Sequence, residues 1–365
     1  MLKLFEPSLQ SMNMSLIRRR KLTQRQTRQI QQNQHKDHDD GTLATGVIVS
    51  HFGKQLDVQI TALPSILPEH DSDEQLLTLG AIWRCHARTN LPMLACADTV
   101  QFSLDLSSGL GRIERLLPRT TLITRPDRYH KVKPVAANVD TLVIVFAPLP
   151  KPAVNLIDRY LLIAKLAGVK PLLLLNKADL LSEHPEVANI ACNYQKLGEQ
   201  CGFSLISTSL VDDTGVDELS AHIDGKLSIF AGQSGVGKSS LINKLLPNAN
   251  QATNQISTNS QLGQHTTTTS RLLAYNNHKL HQGGIIDTPG IREYGIWHLS
   301  ADDILAGFDE LRPLADDCQF RDCSHHANAK GCAMWAAANR GEVLPRRIES
   351  LIGLIDEAKN GAASK

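Results

Sequence analysis

No stretch of this 365-residue sequence is long and apolar enough to cross a bilayer. The most apolar runs, residues 141–146 and 171–175, fall far short of the roughly 20 residues that a membrane-spanning helix needs. The first residues also lack the extended apolar core of a secretory signal, so a cytoplasmic location with no membrane partner is expected. Charge of one sign is missing too. The 38 Lys and Arg nearly balance 37 Asp and Glu, and a net charge of +1 does not announce a nucleic-acid binder. A disulfide framework is not expected in that compartment, although there are seven cysteines. Three of them, Cys318, Cys323 and Cys332, cluster with histidines, which reads as a metal site instead. No internal repeat is visible.

What is present points to two or three domains. The hydrophobic share of 42% and charged share of 21% are those of an ordinary globular protein, and the chain is long enough to bury a core without staples. Residues 1–40 are polar, Gln-rich and basic, with too little apolar content to fold alone, so a disordered arm is expected there. Within it Arg18, Arg19, Arg20, Lys21, Arg25 and Arg28 have no acidic residue among them. Such a block attracts phosphate backbones; a merely solubilising tail is the plainer alternative.

From residue 43 to about 118 the sequence shows short alternating runs at 46–49, 56–60, 81–88, 99–106 and 109–116, broken by Gly and polar turns. This spacing suggests a small β-barrel over 41–125, with an OB-fold as one candidate among small barrels and sandwiches. The texture changes near Val139. Residues 141–146 form a continuous apolar run, as in a strand covered on both faces. An amphipathic stretch (153–167) and further strand and helix signals alternate up to residue 286, which implies a mostly parallel α/β sheet in a domain spanning 126–298. Residues 299–365 read as helical and carry the Cys/His cluster.

Three motifs carry the chemistry. Gly232, Gln233, Ser234, Gly235, Val236, Gly237, Lys238 and Ser239 fit the Gly-x-x-x-x-Gly-Lys-Ser/Thr phosphate loop, between an apolar strand and a helical pattern. Its glycines let backbone amides face phosphate oxygens, and the following helix adds the positive end of its dipole. Lys238 is placed to bridge the β- and γ-phosphates and the Ser239 hydroxyl to bind magnesium. This loop alone does not separate ATP from GTP. Asn176, Lys177, Ala178 and Asp179 follow a second apolar strand and fit the Asn-Lys-x-Asp guanine reader. The Asp carboxylate accepts from the ring NH and exocyclic amine of guanine, a donor pair that adenine lacks. Ser207, Thr208 and Ser209 offer either a second base contact or only a polar turn.

Asp287, Thr288, Pro289 and Gly290 fit Asp-x-x-Gly, in which the Asp reaches magnesium through water and the Gly amide touches the γ-phosphate. Upstream lies a threonine tract. Thr267, or failing it Thr266, is expected to complete the magnesium shell and to act as a switch held by the γ-phosphate. The order is unusual: the base-reading loop precedes the phosphate loop. A circular permutation permits this because domain termini often lie close together, and all the motifs still meet at the carboxyl ends of parallel strands.

On Gly232–Ser240, the Gly-x-His-Thr-Thr string at 263–267, Asp287–Gly290 and the C-terminal cysteines, the chain resembles the RsgA-like family, the ribosome small subunit-dependent GTPases. The resemblance covers nearly the whole sequence and adds Ser240 to the phosphate-binding set. It implies an α/β P-loop GTPase domain in circularly permuted form, an N-terminal OB-fold barrel and a C-terminal, mainly helical zinc-binding domain. Lys238, Thr267 and Asp287 are then the catalytic group. The implied partners are GTP and GDP, the small ribosomal subunit and its rRNA, and the implied activity assists late maturation of that subunit with hydrolysis that it stimulates. The implied cofactors are magnesium with GTP and one structural zinc held by Cys318, Cys323, His325 and Cys332. The last gap is one residue longer here than in the family's pattern, so His326 stands as an alternative to His325. The protein is expected to work as a monomer. The residue after Asp-x-x-Gly is Ile291, which cannot orient water as a Gln would, so hydrolysis by the chain alone should be slow; His265 is a candidate replacement. Two rival functions remain open at this point, an RNA-binding scaffold with a vestigial nucleotide site and a GTP-dependent RNA-modifying enzyme.

Overall fold

The computed structural model describes residues 41–53, 55–66, 77–126, 131–246, 270–275, 283–288 and 295–363. The basic arm expected at 1–40 lies outside them. Five strands, β1 (Ala44–Phe52), β2 (Gln55–Ala62), β3 (Ile82–Ala87), β4 (Thr99–Asp105) and β5 (Leu110–Leu116), close in the order β1-β2-β3-β5-β4, with β4 returning to β1. Only the β3–β5 pair within this barrel is parallel. The alternation seen in the sequence has a physical cause: successive strand residues face opposite sides. In β4, Val100 and Phe102 point into the core while Gln101 and Ser103 are partly exposed. Ile48, Val58, Trp83 and Ile113 complete that core. The closed five-stranded barrel is an OB-fold. Two cysteines are buried at or beside it. Burial pushes the thiols of Cys85 and Cys96 up to about 12, so neither behaves as a reactive thiolate.

A ribbon of β6 (Leu122–Pro126) and β7 (Val132–Ala137) leads into the second sheet. That sheet contains β8 (Thr141–Phe146), helix α1 (Val154–Ala167) after it, β9 (Lys170–Asn176), a 3-10 turn (Ala178–Glu183), α2 (Pro185–Cys201) and β10 (Ser204–Thr208). It continues with α3 (Val216–Ile223), β11 (Leu227–Gly232), α4 (Lys238–Leu245), β12 (Arg271–Ala274) and β13 (Gly284–Asp287). The strand order is β10-β9-β8-β11-β13-β12. All neighbours in it are parallel except β12, which runs antiparallel to β13 and meets the barrel where Arg271 pairs with Ser50 on β1.

Every residue of β8 is buried. Leu142, Ile144 and Phe146 face one layer with α1 and α2, while Val143 and Val145 face the other with Leu219 of α3 and Leu241 of α4. Helices on both faces explain why the sequence of this strand is continuously apolar rather than alternating. The C-terminal helices are α5 (Ala301–Leu305), α6 (Arg312–Asp316), α7 (Ala333–Asn339) and α8 (Pro345–Ala363). Ser300 and Asp303 form a reciprocal capping box that starts α5. Ile304, Phe308, Met334, Ile348 and Leu351 from this region belong to the same apolar core as α1 and α2. Among the described residues no helix is long and apolar enough to cross a membrane.

Candidate nucleotide-binding site and metal centre

Parallel strands put their carboxyl ends on one edge of the sheet, and three of the sequence motifs sit there. The phosphate loop follows β11 and runs into α4, whose first residue is Lys238. Two of its glycines are required by close approach. Gly232 has φ +139°, and a Cβ there would lie 2.1 Å from the Val145 carbonyl oxygen of β8. Gly237 has φ +93°, and a Cβ there would lie 2.3 Å from Asn176 Nδ2. Lys238 Nζ donates to the carbonyls of Gly232 at 2.8 Å and Gln233 at 2.6 Å, which places the cation within the loop. Ser234 and Gly235 are exposed at the loop tip, Val236 is buried beneath it, and Ser239 and Ser240 are exposed on the first turn of α4.

Residues 176–179, the expected base reader, are bonded directly to this loop. Buried Asn176, the last residue of β9, donates from Nδ2 to the Val236 carbonyl at 2.8 Å and accepts from Thr208 Oγ1 at 3.2 Å. Lys177 adopts a left-handed φ of +57° and donates from Nζ to the carbonyls of Gly235 and Leu149, both at 2.8 Å. Ala178 opens the 3-10 turn, whose first turn carries Asp179. Asp179 Oδ1 accepts from Ser209 Oγ at 2.8 Å. The polar turn at 207–209 therefore braces Asn176 and Asp179.

Asp287 is exposed at the end of β13, whose Ile286 is in register with Ile229 of β11. The next residue, Thr288, is buried and accepts from Ser270 Oγ at 3.0 Å. That bond joins Ser270, the residue after the threonine tract, to the Asp-x-x-Gly motif, and the sequence carries no distinct signal for it. Gly290, Thr266, Thr267, His265 and Ile291 lie outside the described residues. Ser239 and Asp287 offer hydroxyl and carboxylate oxygens, the hard donors that magnesium prefers.

The C-terminal cluster is tight. One ligand atom from each of Cys318, Cys323, His325 and Cys332 lies within 4.8 Å of the others. His325 Nδ1 is 3.7 Å from Cys318 Sγ and 3.6 Å from Cys332 Sγ. Typical Zn–S and Zn–N lengths give an S···N edge of about 3.6 Å in a tetrahedral site, so the four residues fit a metal of that geometry. The backbone turns the imidazole inward, since His325 has φ +54° and its carbonyl is held by Trp335 Nε1 at 2.7 Å. Burial lowers the pKa of His325, which favours the neutral ring that ligates metals. His326, the neighbouring alternative, is not among the clustered ligand atoms.

A sequence model of the family described as RsgA GTPase matches residues 116–297. The small ribosomal subunit biogenesis GTPase RsgA of Pseudomonas putida is 43% identical over 319 residues, which cover 87% of this chain and 86% of that protein. Among solved structures, YjeQ from Thermotoga maritima superposes with a TM-score of 0.63 at 26% identity, covering 87% of this chain and 99% of that one. YloQ, described as a circularly permuted GTPase, has the same fold, with a TM-score of 0.60 over 89% of this chain and 98% of its own, at 23% identity. The permuted motif order, their convergence on one sheet edge and the extent of these likenesses lead to one conclusion: this chain is a GTP-hydrolysing enzyme and belongs to the RsgA GTPase family.

Proposed function

We propose that the protein is a GTPase that binds the small ribosomal subunit in the cytoplasm, assists its late maturation and leaves after hydrolysis. The observation that carries the nucleotide half of this reading is the set of hydrogen bonds from Asn176 and Lys177 to the phosphate loop. They make two segments that are far apart in sequence into one cradle for base and phosphates. The ribosomal half is supported by the relatives, which are named for small-subunit biogenesis.

In this reading Asp179, oriented by Ser209, accepts from the guanine edge, and Asn176 and Lys177 hold the base loop against residues 232–240. The amides of Gly232–Ser240 and the Lys238 cation hold the phosphates and counter the charge that develops on transfer to water. Ser239 and Asp287, with Thr267 or Thr266 from the switch tract, hold magnesium, which supplies further neutralisation of the phosphate charge when bound. Gly290 supplies an amide to the γ-phosphate. With Ile291 where a water-orienting Gln would stand, hydrolysis depends on the subunit. GTP turnover is expected to rise at least tenfold when purified small subunits are added. Equal turnover with and without subunits contradicts the ribosomal reading while leaving the nucleotide site intact.

Zinc is the metal of choice for Cys318, Cys323, His325 and Cys332, because three thiolates and one imidazole close a tetrahedral structural site. Protein purified without added metal should contain about one equivalent of zinc per chain. Replacing His325 with Ala should release most of it and lower the melting temperature of the C-terminal region, whereas His326→Ala should leave metal content unchanged. Elemental analysis of the two variants checks the assignment, and the reverse pattern refutes it.

A further inference from the structure

One helix joins the nucleotide site to the C-terminal helices. At its start α1 leans on the phosphate loop: the Ala153 amide donates to Gln233 Oε1 at 3.1 Å. The segment leading into it gives the Leu149 carbonyl to Lys177 Nζ, and a Cβ on Gly235 would lie 3.4 Å from Pro150. One turn further, Asp158 is fully buried. Tyr194 of α2 donates to its Oδ1 at 2.5 Å, and Arg347 of α8 donates to the same oxygen at 2.8 Å. Arg346 of α8 lies 3.2 Å from Oδ2, an ion pair without hydrogen-bond geometry.

Arg347 is itself buried. It donates to Glu310 Oε1 at 2.6 Å and Oε2 at 3.2 Å, and its guanidinium lies 4.1 Å from the centre of the Phe308 ring. A buried carboxylate has to be paired, and both cations that pair Asp158 come from α8. Apolar packing is non-directional and tolerates sliding along a helix axis. Charge-assisted bonds with defined geometry do not. The position of α1 is therefore set at two points, by the phosphate loop at its N-cap residue Ala153 and by the C-terminal unit in its second turn.

We propose that Arg347 is a positioning residue for nucleotide binding, acting through Asp158 and α1 on Gln233 and so on the phosphate loop. Docking of the C-terminal unit and occupancy of the nucleotide site then bias the same helix. This inference rests on residues 232–239 being the phosphate loop, and GDP binding by the wild-type protein tests that reading separately.

The experiment is a double-mutant cycle read as GDP affinity with a fluorescent GDP analogue. Arg347→Met in protein that retains its zinc and a cooperative melt should bind about five- to twentyfold more weakly, and Arg347→Lys should recover part of the loss. Gln233→Ala should weaken binding to a similar degree. Distant changes without shared partners ordinarily add. Here the double variant Gln233→Ala with Arg347→Met should bind no more weakly than the weaker single variant, because the link is already cut. GDP affinity within twofold of wild type in folded Arg347→Met, or effects that simply multiply, overturns the proposal. Should Arg347→Met not fold, Tyr194→Phe takes its place. It removes the hydroxyl's bond to Asp158 together with the bond that hydroxyl accepts from Arg346, and should weaken GDP binding two- to fivefold; unchanged affinity in that variant overturns the proposal as well.

Discussion

Lys238→Ala is expected to lower GTP turnover by about 10²–10³-fold in a protein that remains folded, the loss typical of removing one preorganised charge-stabilising donor. The side chain is held inside the phosphate loop by two neutral carbonyls, those of Gly232 and Gln233. Phosphate oxygens are stronger acceptors for an ammonium group, because charge-assisted bonds are roughly twice as strong as neutral ones. The cation is thus poised to leave the carbonyls for the phosphates. Stability should change little. Lys238 is the first residue of α4, half-buried, and alanine is the better helix former. Single-turnover hydrolysis beside a thermal melt checks both halves. Near-normal turnover in a folded variant contradicts the phosphate-loop assignment.

Asp179→Asn should weaken GTP binding by about 10²-fold or more and relax the choice of base. The carboxylate is acceptor-only, and Ser209 already donates to one of its oxygens at 2.8 Å. That bond fixes the plane of the group and leaves lone pairs for the two guanine donors. An asparagine presents an amide donor to those donors, so one pair of groups goes unsatisfied in the bound state. Sites built to hydrogen-bond a group discriminate strongly when the partner is wrong. Xanthine, which carries a carbonyl where guanine carries its amine, should gain affinity for the variant as guanine loses it. Titrations of wild type and variant with guanosine and xanthosine diphosphates give the answer. A variant with wild-type guanosine affinity contradicts the role of Asp179.

Much of this architecture was legible in the residue pattern, and the exceptions have causes. The barrel strands alternate because one face is buried, and β8 is uniformly apolar because helices cover both of its faces. Helix α2 was not legible in the same way. Its apolar positions 187, 190, 191, 194, 197 and 201 do follow helical spacing, but two of them are Ala191 and Cys201, and Gly198 interrupts the pattern. The β6–β7 ribbon is hidden by Pro126 and Pro134, residues that argue against a strand.

At the site, sequence spacing marks the candidate motifs but not the bonds between them. Leu149 contributes through its backbone carbonyl, which leaves no trace in side-chain identity. The polarity of Ser209 is compatible with touching either the base or Asp179, and only the fold shows the bond to Asp179. Adjacent His325 and His326 are equivalent by spacing, and it is the left-handed backbone at His325 that turns one ring toward the thiols. Arg347 was silent because a charged residue on a C-terminal helix ordinarily reads as a solvated surface group, whereas here it is buried between two carboxylates.

Motifs in permuted order assemble into one guanine-nucleotide site only if the base reader and the phosphate loop meet in the folded chain. Competition between GTP and ATP for the wild-type protein tests it most directly, because Asn176–Asp179 can reject adenine only if it sits beside residues 232–239 in the folded chain. ATP should displace a bound fluorescent GDP analogue only at concentrations about 10³-fold or more above those at which GTP does. Displacement by ATP and GTP at the same concentration would contradict it.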